Sequence, residues 1–248
     1  YRWNMTYCVA MNLVEGLVFV SDSRTNAGVD HIATFRKQHV FGVPGERLIV
    51  LQSAGNLATS QSVISLLRQR LNSAGEHLHG VPSLFAAATL VGDTLREVLA
   101  RDGGATLTQG VELGCSFLLG GQIRGDAPAL YNLYPQGNFI ASTDDTPYFQ
   151  IGESKYGKPI LDRALSHQTS LQQALRCALI SFDSTIRSNL SVGMPLDLLV
   201  YKADSLEVPR GFRVQEGDPY FEGIRQQWCA GLRELLGQLP APPDDYWK

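Results

Sequence analysis

Residues 5–28 read MTYCVAMNLVEGLVFVSDSRTNAG. Two short apolar runs sit in this stretch. Thr6 to Met11 is one; Gly16 to Ser21 (GLVFVS) is the other, β-branched and aromatic as a strand requires. Asp22-Ser23-Arg24-Thr25-Asn26-Ala27-Gly28 then closes the second run with a cluster of turn residues. The threonine directly behind Met5 also carries a chemical implication. With the methionine removed, Thr6 becomes an N-terminus, and an N-terminal threonine holds a hydroxyl nucleophile and an amine base on one residue. In this reading Tyr1 to Asn4 are an upstream extension or tag. While they stay attached, the nitrogen of Thr6 is an amide and cannot act as a base.

Further strands are expected at Thr34 to Phe41 and Arg47 to Gln52. Val63, Ile64, Leu66, Leu67 and Leu71 then repeat with a helical period across Leu57 to Leu71. Pro82 marks the start of a second helix over Ser83 to Arg101. Strands return at Cys115 to Leu119 and Leu130 to Tyr134, and the turn Pro135-Gln136-Gly137-Asn138 leads to a hairpin partner at Phe139 to Ser142. Helices are expected at Ser154 to Leu165, with Pro159 in its first turns, and at Leu171 to Arg187 and Pro219 to Leu236, with a strand at Leu196 to Lys202. The tail Pro240 to Lys248 reads as linker. No repeat or linker divides residues 5–239, so they form one domain. Strands and helices come in separate blocks, which excludes a doubly wound parallel sheet and fits an α+β fold. The expected architecture is αββα: two antiparallel sheets face to face, with helix layers outside.

Composition narrows the function classes. The chain has 248 residues, 44% hydrophobic and 18% charged, as in an ordinary globular domain. A net charge of -3 gives no electrostatic case for nucleic acid or an anionic membrane. No apolar run approaches the ~20 residues that span a bilayer. The front end lacks a basic segment followed by an apolar one, so no signal peptide is read and a cytoplasmic location is expected. Cys8, Cys115, Cys177 and Cys229 are scattered without a CxxC pair, which reads as reduced, mostly buried thiols. Gly120-Gly121 matches no phosphate-loop spacing.

The residues around Thr6 supply a complete hydrolytic set. Its α-amine would titrate near ~8 and could take the hydroxyl proton directly or through a water. A hydroxyl is a poor nucleophile without a nearby cation, and the cation needs a carboxylate to fix it. Lys37 and Asp22 have those chemistries, each at a strand border, and Arg24 can pin the loop between. Gly55 follows a strand and offers a backbone N–H with no Cβ in the way, as an oxyanion hole needs. Cys8, two residues on, shares the face of Thr6 but has neither an α-amine nor a paired histidine, and is assigned to packing. His77-x-His79 lacks a surrounding ligand set, so no metal or other cofactor is expected.

The order MT…SDSRTNAG…FRKQHVF…LQSAGN resembles the proteasome β-subunit family of N-terminal-nucleophile hydrolases. Counting from Thr6 as one, Asp22 is the seventeenth residue, where that family carries its catalytic aspartate. Arg24 and Gly28 also coincide with the family's loop, while Lys37 falls one place short of its lysine, implying a one-residue deletion. FLLGGQIRGDAPALYNLYPQGNF looks like the family's central hairpin. SDSRTNAGVDHI, FRKQHVFGVPGERL and SNLSVGMPLDLLVY look closer to its bacterial Anbu branch, the ancestral β-subunit. The resemblance implies an αββα sandwich with Thr6 as nucleophile and base, Lys37 lowering the hydroxyl pKa, Asp22 orienting Lys37, and Gly55 as oxyanion donor. It places Thr25 and Asn26 along the substrate backbone and at the start of the specificity pocket.

Departures from the family pattern are specific. A Gly-Ser-Gly after the hairpin is replaced by Gly152-Glu153-Ser154, so the serine that helps the amine becomes Glu153 or shifts to Ser154. The family's Asp-x-x-Ser becomes Ser188-Asn189-Leu190-Ser191. Ser191 keeps the serine, the aspartate falls on Ser188, and Asp183 could stand in only along a different backbone path. No processed propeptide is expected, only a methionine to remove. Three functions stay open: a threonine peptidase inside a self-compartmentalised homo-oligomer, a catalytically weak assembly scaffold, and an amidase for small molecules. The expected partners are a peptide or amide substrate and further copies of the chain, in a ring or an open helical stack. No docking motif names an unfoldase.

Overall fold

In a computed structural model, residues 6–26, 32–103 and 112–247 are described. The extension Tyr1 to Asn4, with Met5 and Gly28, lies outside them. The first sheet pairs β1 (Tyr7–Leu13), β2 (Gly16–Asp22), β10 (Tyr148–Gly152), β11 (Leu196–Lys202) and β12 (Phe212–Val214) in the order β10-β1-β2-β11-β12. The second runs β5-β6-β7-β8-β9, built from β5 (Gln38–Val43), β6 (Arg47–Gly55), β7 (Cys115–Ile123), β8 (Ala129–Leu133) and β9 (Phe139–Ala141). Every pairing in both is antiparallel. β3 (Arg24–Asn26) and β4 (Ile32–Thr34) form a separate two-stranded ribbon.

Alternation along the strands sets the layers. Tyr7, Val9, Met11 and Leu13 face one way and Cys8 and Ala10 the other. The first set packs on α3 (Lys158–Ala164), α4 (Leu171–Ser188) and α5 (Pro219–Gln238), through Leu161, Phe182 and Phe221. The second set meets Leu48, Val50 and Leu118 of the opposite sheet. The other face of that sheet, with Ile49, Leu51 and Leu119, packs on α1 (Leu57–Arg70) and α2 (Leu84–Gly103). The αββα order is therefore present. Strands buried on both faces lose the in–out polarity that usually reveals a strand, and β2 is buried at all its positions.

Several boundaries differ from the sequence reading. The expected strand over residues 34–41 is broken at 35–37, because Lys37 turns inward instead of continuing the ladder. The third helix begins only at Lys158, with Pro159 in its first turn. Glu153 Oε1 accepts the Lys155 N–H at 2.8 Å, so residues 153–155 are held in a turn ahead of it. β10 and β12 escaped notice: β10 is flanked by polar turns, and β12 is three residues long. Gln52 does not end its strand, which runs on to Gly55. The tail carries a short 3-10 turn, Asp244–Trp247, that stays exposed.

The two sheets approach closely over Gly120. A Cβ there would come 2.7 Å from the ring of Phe19 in the opposite sheet. Gly120→Ala is expected to lower stability by ~1–3 kcal/mol through overpacking, read as a shift in urea midpoint. Gly231→Ala, in the exposed middle of α5 with nothing within 4 Å, is the control and is expected to gain up to ~1 kcal/mol.

Candidate active site

Antiparallel pairing gathers the chosen residues at one end of the sandwich. Cys8 pairs with Ser21, so one step outward brings Tyr7 to Asp22, and the Tyr7 N–H donates to Asp22 Oδ1 at 3.0 Å. In the other sheet Gln38 pairs with Gln52, so the next step brings Lys37 to Ser53, whose N–H donates to the Lys37 carbonyl at 2.9 Å. Cys8 Sγ reaches the Ser53 carbonyl at 3.7 Å, a contact between the sheets just inside this end.

A buried ion pair holds the center. Lys37 Nζ donates to Asp22 Oδ1 at 2.7 Å and to the Arg24 carbonyl at 2.7 Å. The side chains are 5% and 0% exposed, so neither charge has water as its solvent. Burial pushes the Asp22 carboxyl up to about 6, against the downward pull of Lys37 and of the Tyr7 and Gly193 N–H groups. Burial likewise raises the Cys8 thiol far above its ordinary value, which makes it an inert packing group.

Thr6 is 7% exposed, directly before β1. Its carbonyl accepts the Glu153 N–H at 2.6 Å. Gly152 makes that approach possible: φ is +81°, and any Cβ would collide with the Thr6 carbonyl. Gly55 ends β6 at an exposed position with φ +109°, again a backbone that only glycine adopts freely. Arg24 spans to the 189–193 loop, donating from Nη1 to the Leu190 carbonyl at 3.0 Å. Thr25 and Asn26 lie in β3, and only their backbone is described.

The residues around the front of Thr6 divide. Glu153 is buried, its Oε2 accepting from Asn189 Nδ2 at 2.9 Å. Asn189 Oδ1 in turn accepts the N–H of buried Ser191 at 2.9 Å. Ser154 and Ser188 are exposed. Asp183 is not with them: its carboxylate is bound on α4 by Arg187 at 3.0 Å and by Arg225 of α5 at 2.5 Å. Asn189 is the residue that sequence reasoning missed. It caps α4, and a polar residue after a helix reads as a cap before it reads as a bridge. The His77–His79 pair sits in the connection between α1 and α2, where Arg47 Nη1 donates to the Leu78 and Val81 carbonyls.

A threonine opening an inner strand, a buried lysine–aspartate pair beside it and a glycine-ended strand opposite define a sandwich of the proteasome type. The chain belongs to the proteasome subunit family, whose model matches residues 4–200. It is 24% identical over 208 residues to the proteasome subunit beta of Haloquadratum walsbyi, covering 82% of this chain and 76% of that one. Among solved structures it is similar to the Anbu complex of Pseudomonas aeruginosa, described as a helical assembly, at 66% identity and a TM-score of 0.94 over 97% of this chain and 99% of that one. Anbu from Yersinia bercovieri follows at 57% identity and 0.91, over 96% and 99%. The chain is thus a proteasome-type β-subunit of Anbu-like structure. Among the described residues no helix is long and apolar enough to cross a membrane.

Removing Lys37 leaves the Asp22 charge buried and uncompensated. Lys37→Met is expected to cost ~3–5 kcal/mol at pH 8. The pH dependence follows from the raised carboxyl: between the unfolded value near 4 and the folded value the native state binds more protons, so this group's contribution falls as pH rises. In Lys37→Met that fall is expected to be steeper and to extend to higher pH, with denaturant midpoints recovering toward wild type at pH 5. A midpoint difference independent of pH would contradict it.

Proposed function

We propose that this chain is a threonine peptidase or related amide hydrolase whose nucleophile is Thr6, freed by removal of Met5 and anything before it. The single observation that carries the reading is the Asp22 oxygen shared by Lys37 and the Tyr7 N–H, which ties the ion pair to the residue next to Thr6. The α-amine takes the Thr6 Oγ proton, directly or through a water, as Oγ attacks the scissile carbonyl carbon. Lys37 favors the developing alkoxide, and Asp22 holds Lys37. The carbonyl oxygen becomes an oxyanion that the Gly55 N–H stabilizes. Collapse breaks the C–N bond, and the ammonium returns its proton to the leaving amine. A water activated by the same amine then hydrolyzes the acyl ester and restores Thr6.

Glu153 takes the supporting place of the family's serine, with Asn189 and Ser191 behind it. A carboxylate there favors the protonated amine. Thr25 and Asn26 line the substrate, and Ser154 and Ser188, being exposed, hold lesser roles. Self-assembly into a ring or open helical stack, supported by the helical assembly of the Pseudomonas aeruginosa relative, would enclose these sites. A scaffold with weak catalysis is the second reading, favored by the Glu153 carboxylate already engaged by Lys155 and Asn189.

A chain starting at Thr6 is expected to form a covalent adduct with an electrophilic peptide probe, seen by intact mass. The adduct should vanish in Thr6→Ala and fall at least ~100-fold in rate in Lys37→Ala. A confirmed free Thr6 that takes no probe would sink the hydrolase in favor of the scaffold.

The pH–rate profile gives a second check. Below ~8 the amine protonates and the rate falls with a slope of one. Below about 6 Asp22 also protonates and releases Lys37, so the slope becomes two. Glu153→Gln is expected to move the upper break to lower pH and leave the lower one near 6. An unmoved upper break would remove Glu153 from the amine's surroundings.

A further inference from the structure

A second polar feature lies beside this end of the sandwich and is not used in hydrolysis. Where β5 faces β11 and β12, the gap between the sheets opens into a cavity of about 260 Å³. Its wall carries three guanidiniums, Arg36, Arg210 and Arg213, against one carboxylate, Asp197. Arg213 is already matched: its Nε and Nη2 donate to the two Asp197 oxygens at 2.7 Å each. That fork is closed and neutral. Arg36 and Arg210 have no carboxylate within ion-pair distance among the described residues.

Behind the lining residues the neighboring strands carry further polar groups. Asp197 pairs in register with Ser21, whose hydroxyl is fully buried without a hydrogen-bond partner. Gln38 lines the cavity and accepts from Gln52 Nε2 at 3.0 Å, while Gln52 Oε1 stays buried and unpartnered. His39, next to Gln38, is pushed down to about 4, by burial first and then by Arg68 and Arg36, with Asp197 opposing.

We infer that this cavity is an anion site, in which Arg36 and Arg210 bind a carboxylate above the Arg213–Asp197 fork. Arg36 and Arg210 are both exposed and line the same concave wall, and two guanidiniums without a carboxylate on one wall suit a planar oxyanion. The volume admits a small dicarboxylate or one acidic side chain, not a folded partner. The position sets the consequence. Arg36 and Gln38 flank Lys37 in the chain, and Asp197 stands opposite the neighbor of Asp22. β11 is two strands from β1, ~10 Å across the sheet. An extended peptide reaching from Thr6 to this cavity needs only three or four residues. A carboxylate here therefore comes either from an acidic residue of a bound peptide or from a free small dicarboxylate.

The test reads binding without turnover, so it stands whatever becomes of the proposed hydrolysis. Succinate is titrated calorimetrically into the full chain at low salt. One saturable site is expected, weakened at least tenfold in Arg36→Ala and in Arg210→Ala, unchanged in Arg233→Ala on exposed α5, and weakened by added chloride. Unaltered thermal melts of the variants separate lost binding from lost folding; if either alanine variant melts early, Arg36→Gln and Arg210→Gln replace it. Competition then assigns the source. Displacement of succinate by a short peptide with one glutamate, and not by its glutamine counterpart, supports the site as a peptide subsite; failure of both peptides to displace it supports the site with a free ion as ligand. No saturable heat up to ~10 mM, or binding that survives both arginine substitutions, overturns the assignment.

Discussion

The buried Asp22–Lys37 pair is the constraint around which this end of the molecule is arranged. Moving an ammonium and a carboxylate out of water costs several kcal/mol per ion, and mutual attraction offsets it only when the remaining donors and acceptors are also satisfied. Among the described residues Lys37 Nζ donates to Asp22 and to the Arg24 carbonyl, and Asp22 takes the Tyr7 N–H on the same oxygen as Lys37, while its second oxygen is buried without a hydrogen-bond partner. Those bonds require β1 and β2 in register, the chain turning back through β3 and β4, and β5 entering late. A slip of one residue between β1 and β2 would remove the Tyr7 donor and turn Cys8 and Ala10 away from the opposite sheet. Packing and charge therefore specify the same register.

The same coupling explains what was legible in the sequence. The αββα order could be read because strands and helices come in separate blocks, and the pairing of Asp22 with Lys37 because both sit at a strand border beside polar residues. What escaped depends on partners distant in the chain. β10 reads as five residues between polar turns, and it becomes a strand by pairing with β1, more than 130 residues earlier. At the break over residues 35–37 the Lys37 side chain reaches Asp22 in β2, a partner 15 residues earlier in the chain. Asp183 could stand in for the family's aspartate only along a different backbone path; Arg187, one helical turn on, and Arg225, on another helix, hold it on α4 instead.

Where this chain carries Glu153 in place of its family's serine, the carboxylate is tied into a small network. Glu153, Asn189 and Ser191 are linked by two hydrogen bonds, carboxylate to amide and amide to backbone N–H. A serine at 153 would leave the Asn189 amide without its carboxylate, and an aspartate in place of Asn189 would face Glu153 as a like charge. Glu153 and Asn189 therefore depend on each other, while the other departure, Ser188, lies outside their bonds. Gly152 lets the unit reach Thr6, since its backbone conformation brings the Glu153 N–H onto the Thr6 carbonyl. Exposed Ser188 has no part in this chain of bonds.

The strand order gives the end of the sandwich a polarity. In β10-β1-β2-β11-β12, Thr6 and Asp22 are central, Glu153 follows the β10 edge, and Arg36, Arg210 and Arg213 border the β11–β12 edge. One flank is thus acidic and the other cationic, with the proposed nucleophile between. In partly desolvated surroundings such opposed charges act over the distance of a few residues. A chain laid across the site meets a preference of sign at each side: positive groups toward Glu153, negative ones toward the arginines. Direction in a peptide backbone is otherwise set by ladder hydrogen bonds alone. Charge on the two flanks would add to that a selection among side chains, at positions several residues from the bond that breaks.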